Sequence, residues 1–144
     1  MSVLVIAAVT LAVIAVLALT LVPLLRRARG VAAEAEAELG TEGRRSEHVR
    51  GLGLESRGPR QVRGNGLLAL TDDELVFRML VPDRETRIPL AAVTSVGSER
   101  TWLGKWVGRR LLRVRWHTPD GAEDAMAWEV RDLAGWIAAL GGEH

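Results

Sequence analysis

The 144-residue chain contains no cysteine and a single lysine, Lys105. The absence of cysteine excludes a disulfide-stabilised scaffold, thiolate catalysis and cysteine-ligated metal sites. Basic and acidic residues nearly cancel, leaving a net charge of +1, which excludes a polybasic nucleic-acid-binding chain and a strongly acidic, solvating one. A further absence is local, because the first 25 residues carry no charged side chain.

The charge-free segment predicts a transmembrane helix. Residues 3–25 are dominated by Val, Leu, Ile and Ala, and a helix of this length measures roughly 34 Å, enough to cross a hydrocarbon core of roughly 30 Å. The alternative is a secretory signal peptide. Against it, no basic residue precedes the apolar run, the run exceeds the usual signal length, and no clear small-residue cleavage site follows. We therefore expect residues 1–29 to be a retained span with its arginine flank.

Charge asymmetry predicts the orientation of this span. Arg26, Arg27 and Arg29 follow the apolar run directly, whereas no basic residue precedes it, so the positive-inside rule places the C-terminal side in the cytoplasm. The prediction is a single-pass inner-membrane or plasma-membrane protein with its N-terminus outside. Residues 30–45 are rich in Ala and Glu and are expected to continue the helix as a juxtamembrane stalk that ends between Gly40 and Gly43.

The remainder, residues 46–144, has the pattern of a mainly β domain with one C-terminal helix. Apolar residues alternate with a period of two, most clearly at Leu112, Val114 and Trp116, and turn residues recur at regular intervals, which is typical of antiparallel strands. Asp132 is the expected N-cap of the final helix. Seven strands are expected, near residues 48–54, 62–70, 75–81, 86–89, 93–96, 111–118 and 123–130.

This arrangement, together with short sequence phrases, resembles a bacterial pleckstrin-homology-like (PH-like) or GRAM-like domain over roughly residues 46–140. The phrases are residues 64–71 (GNGLLALT), 75–77 (LVF), 87–90 (RIPL), 103–105 (LGK), 111–114 (LLRV) and 127–130 (AWEV). The resemblance implies two nearly orthogonal antiparallel sheets in a partly open barrel, with the helix plugging one end. These phrases indicate a fold and no activity. A binding module, and not an enzyme, is expected from the charge-free span, its arginine flank and the lack of an acid/base or nucleophile constellation in the sequence.

No motif predicts an enzyme, a cofactor or a metal site. Residues 64–69 match a dinucleotide-binding pattern, but a predicted strand follows them where that chemistry needs a helix N-terminus. The histidines fall on separate elements without metal-ligand spacing. An enzyme would become credible only if a pocket gathered His117, Asp120, Glu123 and Asp124.

Two sets of residues are candidate contacts for a lipid or a partner. Arg57, Arg60 and Arg63 lie around Gly58 and Pro59, and the resemblance places them where PH-like domains that bind phosphoinositides carry basic residues between their first two strands. The second set lies in an expected loop at residues 99–110. Two interpretations of this loop remain open, namely insertion at the membrane interface and tryptophans packed on the sheet beside solvated arginines. Its members are Trp102, Lys105, Trp106, Arg109 and Arg110.

Because the apolar helix would already anchor the chain, we expect the domain to dock a protein partner at the inner leaflet. The alternative is a domain that binds anionic phospholipid headgroups through the basic residues. No nucleic-acid partner is expected.

Overall fold

The computed structural model describes residues 2–42 and 44–142. The chain begins with a 40-residue helix, α1 (Val3–Glu42). Its segment Val3–Val31 is long and apolar enough to cross a membrane, and none of the apolar window is buried within the protein. A membrane span and a signal sequence share this property. The helix continues through the predicted stalk, and Gly43, where a break was expected, lies outside the described residues.

Seven antiparallel strands follow α1 and hydrogen-bond in the order β4-β3-β2-β1-β7-β6-β5. Because no pairing joins β4 to β5 within the described chain, the sheet is an open half-barrel with two edges. The strands are β1 (Arg45–Leu54), β2 (Gly64–Leu70), β3 (Glu74–Met79), β4 (Arg84–Pro89), β5 (Val93–Trp102), β6 (Lys105–His117) and β7 (Glu123–Glu129).

The sheet curls around one apolar core. Phe77 on β3, Ile88 on β4, Val114 on β6 and Trp128 on β7 are all fully buried in the same cluster. Strands from both ends of the sheet can share a cluster only if the sheet curves back on itself. Phe77 and Trp128 meet edge to face at 6.1 Å, a favourable aromatic geometry. Glycine is required at Gly51, because a Cβ there would lie 2.6 Å from the Phe77 ring.

The C-terminal helix, α2 (Leu133–Ala139), closes one end of this core. As the sequence predicts, Asp132 is its N-cap and accepts a hydrogen bond from the Gly135 N–H at 3.0 Å. Trp136 is fully buried, and its indole N–H donates to Glu47 at 2.8 Å. The Arg45 guanidinium lies 5.0 Å from the Trp136 ring centroid, so β1 and α2 are joined by polar as well as apolar contacts.

The outer face of the sheet is covered in two places. Leu67 and Ala69 alternate with the core residues of β2 and therefore point outward, yet both are buried together with Val76 of β3. The element that lies along β2 and β1 there is α1, and Glu34 of α1 pairs with Arg78 of β3 at 3.8 Å. A second outer cluster lies on β1, β5, β6 and β7 and contains Leu52, Trp102, Leu111, Ala125 and Ala127.

The mainly β architecture with a terminal helix is confirmed, but three details differ from the sequence prediction. The resemblance implies two sheets, whereas β1 pairs with both β2 and β7 and so links all seven strands into one. Strand β5 was expected to end at Val96 and reaches Trp102, and β6 begins at Lys105 instead of Leu111. The pairs Thr101 with Trp106 and Trp102 with Lys105 extend the ladder through the expected loop.

Candidate functional site

The loop between β1 and β2, which carries the first predicted basic set, is built by specific hydrogen bonds. Its first turn is a 3₁₀ segment, Glu55–Arg57, and Ser56 donates its backbone N–H and its hydroxyl to Asp124 at 3.0 and 2.6 Å. The Gln61 carboxamide accepts from the Leu54 N–H at 2.9 Å and donates to the Leu54 carbonyl at 2.6 Å. These bonds hold the loop in one conformation on the end of β7.

This loop and the β3–β4 turn form the open end of the half-barrel. A cavity of about 410 Å³ opens there, with Phe77, Met79 and Met126 as its apolar floor and Arg57 and Arg84 in its rim. We call this space the mouth cavity.

The structure separates the three predicted loop arginines. Arg57 lines the mouth cavity and Arg60 is exposed beside it. Arg63 is half-buried, and its Nε and Nη2 atoms are enclosed without a hydrogen-bond partner in the described part of the chain. Enclosed guanidinium nitrogens are donors that an anion or water can satisfy.

The second predicted set does not form one surface. Residues 99–110 belong to the β5–β6 hairpin, whose two-residue turn is made by Leu103 and Gly104 with φ of 50° and 76°, as a tight hairpin requires. Trp102 is 5% exposed, and its indole N–H donates to the Gly53 carbonyl at 2.9 Å. Insertion of Trp102 into a membrane interface is therefore wrong, and packing on the sheet is right for this residue.

The other four residues of this set differ in exposure and in their contacts. Trp106 is 72% exposed, and Lys105 is also exposed. Arg109 pairs with Glu129 of β7 at 2.6 Å, and Arg110 donates to the Ser98 hydroxyl at 3.2 Å. Trp102 and Arg109 thus tie the hairpin to the outer face of β1 and β7, which leaves Trp106 and Lys105 available to a partner.

A groove on the outer face of the sheet was not anticipated from the sequence. It has a volume of about 740 Å³ and crosses β2, β1 and β7 beside the hairpin. Its polar lining consists of three arginines, a histidine, an asparagine and one glutamate, namely Arg50, Arg109, Arg131, His48, Asn65 and Glu129. We call it the outer groove.

Two arginines of the outer groove lack an acidic partner. Arg50 lies opposite Glu129 in the β1–β7 register, but Glu129 pairs with Arg109 at 2.6 Å. Within residues 2–42 and 44–142, neither Arg50 nor Arg131 forms an ion pair. The groove therefore has an uncompensated positive charge, and its geometry suits an anionic ligand.

The acidic residues of the enzyme hypothesis come together only in part. A shallow cleft of about 430 Å³ is lined by Asp120, Glu123, Asp124 and Ser56, whereas His117 is not in its lining. Asp124 is already occupied by Ser56 and by its own neighbour, the Ala125 N–H at 2.8 Å. Among the residues that the structure describes, no cluster of three His, Asp or Glu side chains could hold a metal ion.

The β3–β4 turn lies beside α1. Residues 80–83 of this turn face Leu24, Arg27, Ala28 and Val31 of α1 across a space of about 260 Å³. Because Gly64 of β2 and Met79 of β3 lie at the same end of the sheet, the β1–β2 loop and the mouth cavity share that end.

Comparisons with known proteins add little to this geometry. No protein-family model and no curated protein matches the chain. Among solved structures, the C-terminal domain of an unknown protein from Leishmania infantum is similar, with 13% sequence identity and a TM-score of 0.49, over 78% of this chain and 93% of that chain. Similarity at this level carries no argument, and the PH-like or GRAM-like assignment stays a prediction.

Proposed function

We propose that this chain is a single-pass, membrane-anchored binding module that docks a partner protein at the cytoplasmic face of the membrane. The observation that carries the proposal is the outer groove, where Arg50 and Arg131 have no acidic partner among the residues that the structure describes. With α1 as the anchor, the domain needs no lipid affinity of its own to reach the membrane, so its surface arginines are available for a protein ligand.

The packing of α1 gives the anchored domain a defined orientation. The β3–β4 turn lies beside the segment of α1 that contains the arginine flank, so the open end of the half-barrel faces the bilayer. Val62 and Val81 are 50% and 51% exposed, and both belong to the loops at that end. The outer groove begins near the same end and runs down the side of the domain, where a cytoplasmic protein can reach it.

A second candidate function is anionic phospholipid binding through the membrane-facing loops. The specific observation in its favour is that Arg57, Arg60 and Arg63 share the β1–β2 loop with the exposed Val62, and that Arg84 begins β4 directly after the turn that carries the exposed Val81. Loops with apolar side chains at their tips and basic residues beside them suit the membrane–water interface, where each basic residue adds about 1 kcal/mol of attraction to an anionic surface.

Site-specific photo-crosslinking in cells tests the docking function. A photoreactive amino acid placed at Asn65, in the groove, should give a discrete crosslinked product, whereas one at Glu85 on β4 should not. The product should disappear when Arg50 is also changed to Glu. Products of equal yield at both positions, or a product that Arg50→Glu leaves intact, would contradict docking in this groove.

The lipid-binding candidate has its own measurement. The full chain is reconstituted in nanodiscs of zwitterionic or anionic phospholipid, and quenching of the exposed Trp106 by lipid-attached probes is compared with quenching of a tryptophan introduced at Val62. Quenching at residue 62 that depends on anionic lipid and falls with salt would support the lipid function. Equal quenching in both lipids would contradict it.

The orientation of the anchor is tested by labelling. The chain has no cysteine, so single-cysteine variants give an unambiguous signal. In intact cells, a membrane-impermeant maleimide should label Ser2→Cys from outside and should label His117→Cys only after permeabilisation. The opposite pattern would refute the predicted topology.

A further inference from the structure

We propose that the outer groove binds an extended acidic segment in which two carboxylates alternate with one other residue, an acid-x-acid pattern. This inference rests on the proposed docking function and names the chemistry of the partner. It begins from the charge of the groove, whose lining in the described part of the chain has three arginines and a single glutamate.

The pairing of β1 with β7 sets the spacing of the two free arginines. Arg50 lies opposite Glu129, and Arg131 is two residues beyond Glu129 and also lines the groove. Arg131 lies in the bend that follows β7; were the register of β7 continued to it, Arg50 and Arg131 would be diagonal neighbours, for which the usual separation is about 7–8 Å. Alternate residues of an extended peptide are about 6.6–7 Å apart on one face. An acid-x-acid segment can thus place one carboxylate at each arginine.

The size of the groove favours an extended chain over a single small anion. The groove crosses three adjacent strands, a width of about 10 Å at the usual strand spacing. Three to four residues of an extended peptide cover this distance. Asn65 supplies a side-chain amide at one side of the groove, which can bond to a peptide backbone.

The Glu129 carboxylate competes with such a ligand for the Arg109 guanidinium. This carboxylate pairs with Arg109 at 2.6 Å and is only 26% exposed. Neutralising Glu129 would release the Arg109 guanidinium and remove the one negative charge that repels an acidic ligand. The Glu129→Gln variant is therefore expected to bind more tightly, and a gain of binding cannot be produced by misfolding.

The test uses the full chain in zwitterionic nanodiscs and three fluorescent peptides. The probe is acetyl-(Ala-Glu)₃-amide. The first control peptide has the same composition with its three glutamates in one block, and the second has glutamine at each glutamate position. Fluorescence anisotropy measures the dissociation constant of each. We expect the alternating peptide to bind several-fold more tightly than the blocked one, and the glutamine peptide not to bind.

Variants of the chain locate the binding. Arg50→Gln and Arg131→Gln should each weaken binding about tenfold, as expected for loss of a charge-assisted hydrogen bond of about 1.5 kcal/mol. The matched control is Arg84→Gln, which removes the same charge at the mouth cavity and should leave binding unchanged. Glu129→Gln should strengthen it several-fold.

Several results would overturn the proposal. These are equal affinity for alternating and blocked peptides, equal losses in Arg50→Gln and Arg84→Gln, weaker binding by Glu129→Gln, and displacement of the peptide by phosphatidylglycerol in the nanodisc or by millimolar inorganic phosphate. Displacement by phosphatidylglycerol would assign the groove to a lipid headgroup, and displacement by inorganic phosphate would assign it to a small anion. If instead the crosslinked product at Asn65 persists while no acidic peptide binds, the docking function stands and only the acid-x-acid partner fails.

Discussion

Deleting α1 tests whether this helix is part of the folded domain or only a tether. Leu67, Ala69 and Val76 point away from the core but are at most 3% exposed, and α1 lies along β2 on that side. A chain that starts at Arg44 would expose this cluster to water. It would also lose the ion pair between Glu34 and Arg78 at 3.8 Å.

The expected loss of stability follows from the burial of two larger side chains. Fully burying a Leu or Val side chain contributes about 1.5–3 kcal/mol, and neighbouring strands supply part of the burial of Leu67 and Val76. The loss is therefore about 2–4 kcal/mol, to which the exposed ion pair adds less than about 1 kcal/mol. This is a large part of a typical unfolding free energy of about 5–15 kcal/mol.

The assay is urea unfolding followed by tryptophan fluorescence, with both chains in the same zwitterionic micelles. All five tryptophans lie in β5, β6, β7 and α2 or at their ends. The fluorescence signal therefore reports unfolding of the β domain and not of α1. A thermodynamic cycle sharpens the test. Val76→Ala should cost about 1–2 kcal/mol in the full chain and much less in the truncated chain, where Val76 is already exposed.

Ile88→Val is the matched control, because Ile88 lies in the main core and should cost about 0.5–1.5 kcal/mol in both chains. The reasoning is refuted if truncation leaves the unfolding free energy unchanged and Val76→Ala costs the same in both backgrounds. In that case α1 would not fix the orientation of the domain.

Three further changes give expected outcomes in the full chain. Trp102→Phe removes the indole donor from a buried β1 carbonyl and should lower the unfolding free energy by about 1–3 kcal/mol; an unchanged urea midpoint would contradict the packed position of Trp102. Asp124→Ala leaves the two Ser56 donors without their acceptor. We therefore expect the unfolding free energy to fall by about 2–3 kcal/mol and the β1–β2 loop to be proteolysed faster. No change in either measurement would contradict this role of Asp124. The hydrogen bond from Arg45, and after it the one from the Gly135 N–H, holds the pKa of Asp132 below its ordinary value of 3.8. The ionised Asp132 carboxylate therefore stabilises the folded state above pH 3.8, and this stabilisation is lost as the pH falls through the lower pKa of the folded state. Asp132→Asn keeps the cap but should remove this acid-side decline in a pH titration of unfolding, and an identical decline in the variant would exclude Asp132 as its source.

Much of the local structure could be predicted because it depends on neighbouring residues. The alternation of Leu112, Val114 and Trp116 predicts a half-buried strand, and these side chains do face the core. Asp132 stands directly before an apolar pattern with helical spacing, which predicts the helix cap that the structure contains. The boundaries of the β5–β6 hairpin were missed, because charged and glycine residues obscure the period of two there while backbone pairing continues.

The candidate site was predicted less completely. Arg57, Arg60 and Arg63 were chosen from their position near the connection between the first two strands, and their role as ligand contacts stays a prediction. Arg50 and Arg131 were missed because they are 81 positions apart in the chain and come to line one groove only when β1 pairs with β7. For Trp102 the sequence left both a membrane interface and a protein interior open, and its burial together with its hydrogen bond to Gly53 shows that it packs in the protein interior.

The sequence by itself determined the apolar helix, the strand periodicity and the cap of α2, because each is encoded by residues within a few positions of one another. The tertiary structure alone decided that β1 joins the two halves of the sheet, that α1 covers β2, and that the hairpin reaches the outer face of β1 and β7. These arrangements depend on the packing of residues 20 to 79 positions apart, and such packing leaves no periodic signal in the chain. The outer groove lies between those long-range contacts, so it exists only in the folded protein.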